Sequence, residues 1–126
     1  MPEPHTSSIL TAAAELMLAW SRRLIGHFGP SGSLDLDLLE FPDAVGPSYY
    51  NQFAHYPLLL LAEGALAGAT AAEREDFRAA ALGNVRYLAN NTDAQFMLPH
   101  YSRGRDWGRH VGEWANYFLL RSLQLM

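Results

Sequence analysis

Thr70-Ala71-Ala72-Glu73-Arg74-Glu75-Asp76-Phe77-Arg78-Ala79-Ala80-Ala81-Leu82-Gly83-Asn84-Val85-Arg86-Tyr87-Leu88-Ala89-Asn90 is the stretch that decides the fold class. It opens on Thr-x-x-Glu, a capping box. The Thr hydroxyl and the Glu carboxylate can satisfy two of the amides left free where a helix begins. Phe77, Ala81, Val85 and Leu88 then recur at helical intervals and line one stripe. The spacing predicts a helix from Thr70 to about Asn90.

The same period extends in both directions. Upstream, Ser7 or Ser8 can cap a helix running to about Phe28, with Ile9, Leu10, Leu16, Met17, Trp20, Leu24, Ile25 and Phe28 at helical spacing. Gly29-Pro30-Ser31-Gly32-Ser33 ends it. A second helix is expected from near Ser48 to about Leu66, and its unbroken run Leu58 to Leu61 demands cover on more than one side. Downstream, Asp106 can cap a helix carrying Val111, Trp114, Phe118, Leu119, Leu123 and Leu125. Only Leu34-Asp35-Leu36-Asp37-Leu38 alternates like a strand. The expectation is an all-α chain of antiparallel helical hairpins with four main helices. Residues 1–126 then form a single helical domain, or the N-terminal fragment of a larger one.

The connections carry as much information as the helices. They measure about twenty residues, about three or four, and about sixteen, whereas connections in compact helical domains are usually short. If the helices alternate up and down, both long loops fall at one end, beside the N-termini of helices two and four, where free amides favour anions. That end is the candidate working face.

Composition removes several function classes. The chain is 49% hydrophobic and 17% charged, an ordinary globular balance. Net charge is −4 and all nine basic residues are Arg, so no basic face for nucleic acid is expected. The absence of Cys excludes disulfides, thiol catalysis and Cys-type zinc sites. Met1 to Ser8 shows no secretory signal pattern. The longest apolar run, Pro57 to Ala62, is far below the roughly 20 residues that span a bilayer. A soluble, cytoplasmic chain without a membrane partner is the expectation. The last helix stops on Leu123-Gln124-Leu125-Met126 without the usual closing residues, so the sequence reads as ending before its fold does.

Three groups of residues could carry chemistry. Asn51 and His55 stand four apart and would share a helix face, followed by Tyr56 and by Pro57, which would free the carbonyl of Phe53. His55 there reads either as a general base or sugar contact, or as a core histidine hydrogen-bonded to Asn51. His110 and Glu113 lie three apart on helix four, where the carboxylate could orient the imidazole or face a substrate, or both could line a solvated stripe. The loop holding His100, Tyr101, Arg103, Arg105 and Trp107 groups donors for carboxylate or hydroxyl with a flat aromatic face. Its arginines could equally pair with Asp35, Asp37, Glu40 and Asp43 of the first long loop.

No metal and no cofactor is expected. Asp35-Leu36-Asp37 lacks the ligand count and glycine of a calcium loop, and His55, His100 and His110 are not pre-aligned by a His-x-x-x-His pair. Phosphate-binding glycine loops, the Gly-x-Ser-x-Gly elbow and the dinucleotide fingerprint are missing from the sequence.

At Tyr50-Asn-Gln-Phe-Ala-His-Tyr-Pro-Leu-Leu-Leu-Leu61 and at Arg105-Asp-Trp-Gly-Arg-His-Val-Gly-Glu-Trp114, the chain resembles α/α-toroid carbohydrate-active enzymes. The nearest look is to the heparinase-like and other toroidal polysaccharide lyases and their hydrolase relatives, over roughly residues 45–126. The resemblance implies a carbohydrate substrate, acidic in the lyase case. It implies that Asn51 and His55 neutralise the uronate carboxylate or abstract a proton, that Tyr56 or Tyr101 serves as acid, and that Arg103 holds the acid group. Neutralising the carboxylate would stabilise the enolate formed on elimination. Four helices amount at most to the opening portion of such a barrel, so the partners implied are downstream helices or a second copy. A hydrolase would need two carboxylates about 5–10 Å apart, for which Glu113 with Asp106 is the one candidate pair. The contrasting expectation is a non-catalytic interaction or oligomerisation module that uses its apolar C-terminal helix.

Overall fold

The computed structural model describes residues 4–34, 51, 54–91 and 117–126, with side chains from Ser8 onward. Four α-helices and no strand occur among them: α1 (Pro4–Leu24), α2 (His55–Ala62), α3 (Ala71–Asn91) and α4 (residues 117–123). The all-α class is therefore what the structure shows.

Helix α1 begins at Pro4, earlier than the expected serine cap. A proline at the first helical position loses no hydrogen bond, and its fixed φ suits the helix. The α-helix ends at Leu24 and tightens into a 3-10 turn over Ile25–His27, leaving Phe28 extended. A compact loop follows. Gly29 N donates to Ser33 O at 2.8 Å, Gly32 N donates to Gly29 O at 3.0 Å, and Phe28 bridges to Leu34. Of the strand-like alternation Leu34–Leu38, the described part is a single bridge at Leu34, with residues 35–38 outside the described residues.

Gly32 has φ +88°, and a Cβ there would meet the carbonyl oxygen of Gly83 at 2.1 Å. Conformation and proximity both require glycine, and the loop sits directly on the backbone of α3.

Helix α2 is shorter than the periodicity predicts. It starts at His55 rather than near Ser48, and Asn51 lies in a separate 3-10 turn. Pro57 therefore falls in the first turn, where its missing amide breaks no intrahelical bond, so the expected distortion at Phe53 has no cause. The helix stops at Ala62 because Gly64, at φ +85°, closes a Schellman motif. Its amide donates to Leu61 O and that of Ala65 donates to Leu60 O, both at 3.0 Å. The connection to α3 consequently runs from Glu63 to Thr70, longer than expected.

The capping box of α3 forms as read. Glu73 N donates to Thr70 Oγ1 and Thr70 N donates to Glu73 Oε1, each at 3.1 Å. Bonds at both ends of α2 set the two helices antiparallel. Arg78 donates to Ala62 O at 3.3 Å near the start of α3, and Asn84 donates to Asn51 at 2.9 Å further along.

Leu18, Leu58, Leu59, Leu61, Ala62, Phe77 and Ala81 form the main core, with Ile25, Phe28, Leu66 and Leu125 packed against it. Leucines on successive sides of α2 are buried because α1, α3 and the C-terminal segment cover it from different directions. Arg22 and Glu73 form an ion pair joining α1 to α3, and Arg22 Nη2 also donates to Gly68 O at 3.4 Å. The Arg22 guanidinium and the Thr70 amide hold the Glu73 carboxyl down at about 2.

Candidate functional site

The chemistry-bearing residues that the structure describes meet where the 29–34 loop, the start of α2 and the middle of α3 converge. Asn51 is buried and embraces Leu34. Its Nδ2 donates to Leu34 O at 2.9 Å, while its Oδ1 accepts from Leu34 N at 2.7 Å. The same Oδ1 accepts from Asn84 Nδ2 at 2.9 Å, and Asn84 Nδ2 donates also to Gly32 O at 3.0 Å. Two buried amides thus replace the hydrogen bonds that a strand partner would give this loop. Asn84 Oδ1 has no hydrogen-bond partner among the described residues.

His55 is fully buried, and its Nδ1 lies 2.5 Å from Ser122 Oγ. Ser122 is likewise buried, on the inner face of α4. Phe118, one turn earlier, stacks at a tilt on Tyr56 with ring centroids 5.9 Å apart, and Leu125 reaches the core. Phe118, Ser122 and Leu125 follow helical i, i+4, i+7 spacing. Tyr56 is half-buried. A general base must come within hydrogen-bond reach of the proton it takes. In the folded arrangement Asn51 and His55 face interior groups, and only Tyr56 of this trio retains partial exposure.

His100, Tyr101, Arg103, Arg105, Trp107, His110 and Glu113 lie outside the described residues, as do Asp35, Asp37, Glu40, Asp43 and the expected start of helix four at Asp106. Among the described residues no cluster of three His, Asp or Glu could hold a metal, and no helix is long and apolar enough to cross a membrane.

Sequence reasoning missed Asn84, Ser122 and the Gly32–Gly83 contact. Asn84 has a signal, because it continues the stripe Phe77, Ala81, Asn84, Leu88 and is the one polar member of a buried face. Ser122 sits between Phe118 and Leu125 in the same way. The glycine pair has no local signal, since the partners are distant in sequence.

One further recess borders the site. A cavity of about 160 Å³ opens between α1 and α2, walled by Met17, Trp20, Ser21, Leu24, Leu34 and Pro57. Its lining is apolar except for the Ser21 hydroxyl.

Compared with known proteins, the chain finds no match: no family model, no curated protein and no solved structure aligns with it.

Proposed function

We propose that the chain is a helical assembly module, in which the α2–α3 hairpin is a closed scaffold and α1 and α4 present apolar faces to a helical partner. The observation that carries this reading is the exposure of large apolar side chains on the two outer helices. Ile9, Leu10, Leu16 and Met17 on α1, and Leu120 and Leu123 on α4, are each more than half exposed. The opposite sides of both helices are bonded into the core. Contiguous apolar surface of this kind marks interaction sites in stable folds. The inward commitments of Asn51 and His55 favour the same reading, because they make these residues part of the scaffold.

The test is the double variant Leu16→Glu, Leu120→Lys. If these faces are contact surfaces, the diluted chain keeps its circular dichroism and its melt, and its retention on a hydrophobic column falls. A loss of more than about 1 kcal/mol would refute the reading, since exposed substitutions away from packing cost less than that.

A second reading keeps the resemblance to α/α-toroid carbohydrate-active enzymes, lyase before hydrolase. What favours it is the antiparallel hairpin flanked by open apolar faces, the form that one unit of a hairpin array presents to its neighbours. The sugar chemistry would then fall to His100, Tyr101, Arg103, Arg105, Trp107, His110 and Glu113, with Asn51 and His55 holding the scaffold. Incubation with a uronate-containing polysaccharide tests it. Ultraviolet absorbance from an unsaturated product reports elimination, and new reducing ends without that absorbance report hydrolysis. Neither signal from a folded chain would remove this reading.

A further inference from the structure

Helix α1 carries more apolar surface than its own core uses. At 100° per residue, Leu18, Ser21 and Leu24 point toward the interior. Ile9, Ala13, Leu16 and Trp20 form a second stripe roughly a third of a turn away, spaced 4, 3, 4 in the manner of a helix–helix seam. Leu10, Ala12, Met17 and Ala19 flank it. Glu15, the one charged residue between Ile9 and Trp20, lies on another side of the helix beside Thr11 and Arg22. The stripe and its flanks therefore carry no charge.

This surface matches itself. In an antiparallel pair whose two-fold axis passes between Ala14 and Glu15, Ala13 of one chain faces Leu16 of the other along the seam, with Leu10 beside Met17 on one edge and Ala12 beside Ala19 on the other. Alanine at 12 and 19 on one edge, and Ala13 across from Leu16 in the seam, let the two backbones approach closely. The remaining pair sets Ile9 against Trp20. Trp20 walls the open cavity between α1 and α2, with Met17, Ser21 and Leu24 from the same helix. An exposed aliphatic side chain stands near one end of α1, and an apolar recess of about 160 Å³ opens near the other. Ile9 and Trp20 are about 16 Å apart along the axis.

We infer that α1 forms the seam of a symmetric pair of chains, with Ile9 of each copy seated in the cavity beside Trp20 of the other. The inference rests on the reading of the open faces as contact surfaces and names the partner. An isologous arrangement of this sort closes at two copies. The area supports it. Ile9, Leu10, Leu16, Met17 and Trp20 are 65%, 60%, 71%, 51% and 47% exposed. Together they present on the order of 600 Å² per chain, so a pair buries roughly 1,200 Å², the lower limit for specific interfaces.

The sequence has no cysteine, so introduced ones report cleanly. The experiment combines light scattering across a dilution series with oxidative cross-linking of an Ile9→Cys chain mixed with a Trp20→Cys chain. The expected result is a concentration-dependent dimer, an efficient mixed cross-link, little cross-linking of either variant with itself, and at least tenfold weaker association for Leu16→Glu. Leu16 is the most exposed of the five, so that variant keeps its fold, which its unchanged circular dichroism checks. A dimer that cross-links Ile9→Cys with itself overturns the antiparallel seam. A dimer with no α1 cross-link at all overturns α1 as the interface and leaves the contact-surface reading to α4. A strict monomer overturns the self-pairing. In both latter cases the melt of the Leu16→Glu, Leu120→Lys variant decides the wider reading separately.

Discussion

Alanine at Gly32 and alanine at Gly83 act on the same contact with opposite signs. At Gly32 the new Cβ would stand 2.1 Å from Gly83 O and 2.5 Å from Gly83 C, and the backbone is at φ +88°. Forcing a left-handed conformation on alanine costs about 1–2 kcal/mol. The overlap is with backbone, so the loop must also lift away from α3. Lifting it stretches the bond from Asn84 to Gly32 O and loads the two bonds between Asn51 and Leu34. Buried hydrogen bonds contribute about 1 kcal/mol each, so Gly32→Ala is expected to destabilise by about 3 kcal/mol. At Gly83 the new Cβ would meet Gly32 Cα at 3.8 Å, an ordinary contact. Alanine is the better helix former there by about 0.8–1 kcal/mol, so Gly83→Ala should stabilise by up to that amount. Urea denaturation followed by circular dichroism measures both. In thermal melts the pair should separate by more than about 10 °C, at roughly 4 °C per kcal/mol for a chain of this size. A neutral Gly32→Ala, or a Gly83→Ala that is the worse of the two, would refute the close docking of the loop on α3.

Other perturbations probe the remaining contacts. The folded Glu73 carboxyl titrates near 2, below its ordinary value, so its contribution is complete above about pH 5 and fades as pH falls toward 2. Glu73→Gln should flatten the acid limb of a stability–pH curve, and an unchanged limb would assign that limb to other carboxylates. Phe77→Ala empties a fully buried site between α2 and α3 and is expected to cost about 3–5 kcal/mol in denaturant titrations; less than 1 would mean the core is loosely packed there. His55→Ala and Ser122→Ala should each destabilise, yet their double variant should cost less than the sum by about 1 kcal/mol. Strict additivity would mean that the two side chains do not depend on each other.

What the sequence revealed and what it hid follow from range. Thr70 and Glu73 are three residues apart, so their mutual capping is dictated locally and reads directly from the chain. The stop of α2 was also written locally, in Gly64, but the apolar Ala65 and Leu66 beyond it masked it. The start of α2 was misplaced because Ser48 is a good cap and Asn51 and His55 have helical spacing. What overrides that spacing is the pull of Leu34 on Asn51, a partner outside any local window. His55 is the same case. Burial was one of its two expected fates, but the expected partner was Asn51, whereas the structure brings in Ser122 from the far end of the chain. The residues of the 100–113 cluster lie outside the described residues, so that half of the candidate site stands as the sequence presents it.

The loop seated on Gly83 also orders events in time. The α2–α3 hairpin is closed by short-range bonds, a Schellman turn at one end of its connection and a capping box at the other, so its nucleus needs little chain closure. The contacts from Gly32 and Arg22 to α3 span about half a hundred residues and carry the entropy of closing that loop. Docking of α1 therefore belongs to the late, slow side of the folding barrier. A late-arriving helix is also the first to leave. Amide exchange should accordingly be faster along α1 than along α3, and the apolar stripe of α1 should spend measurable time detached while the hairpin beneath it persists.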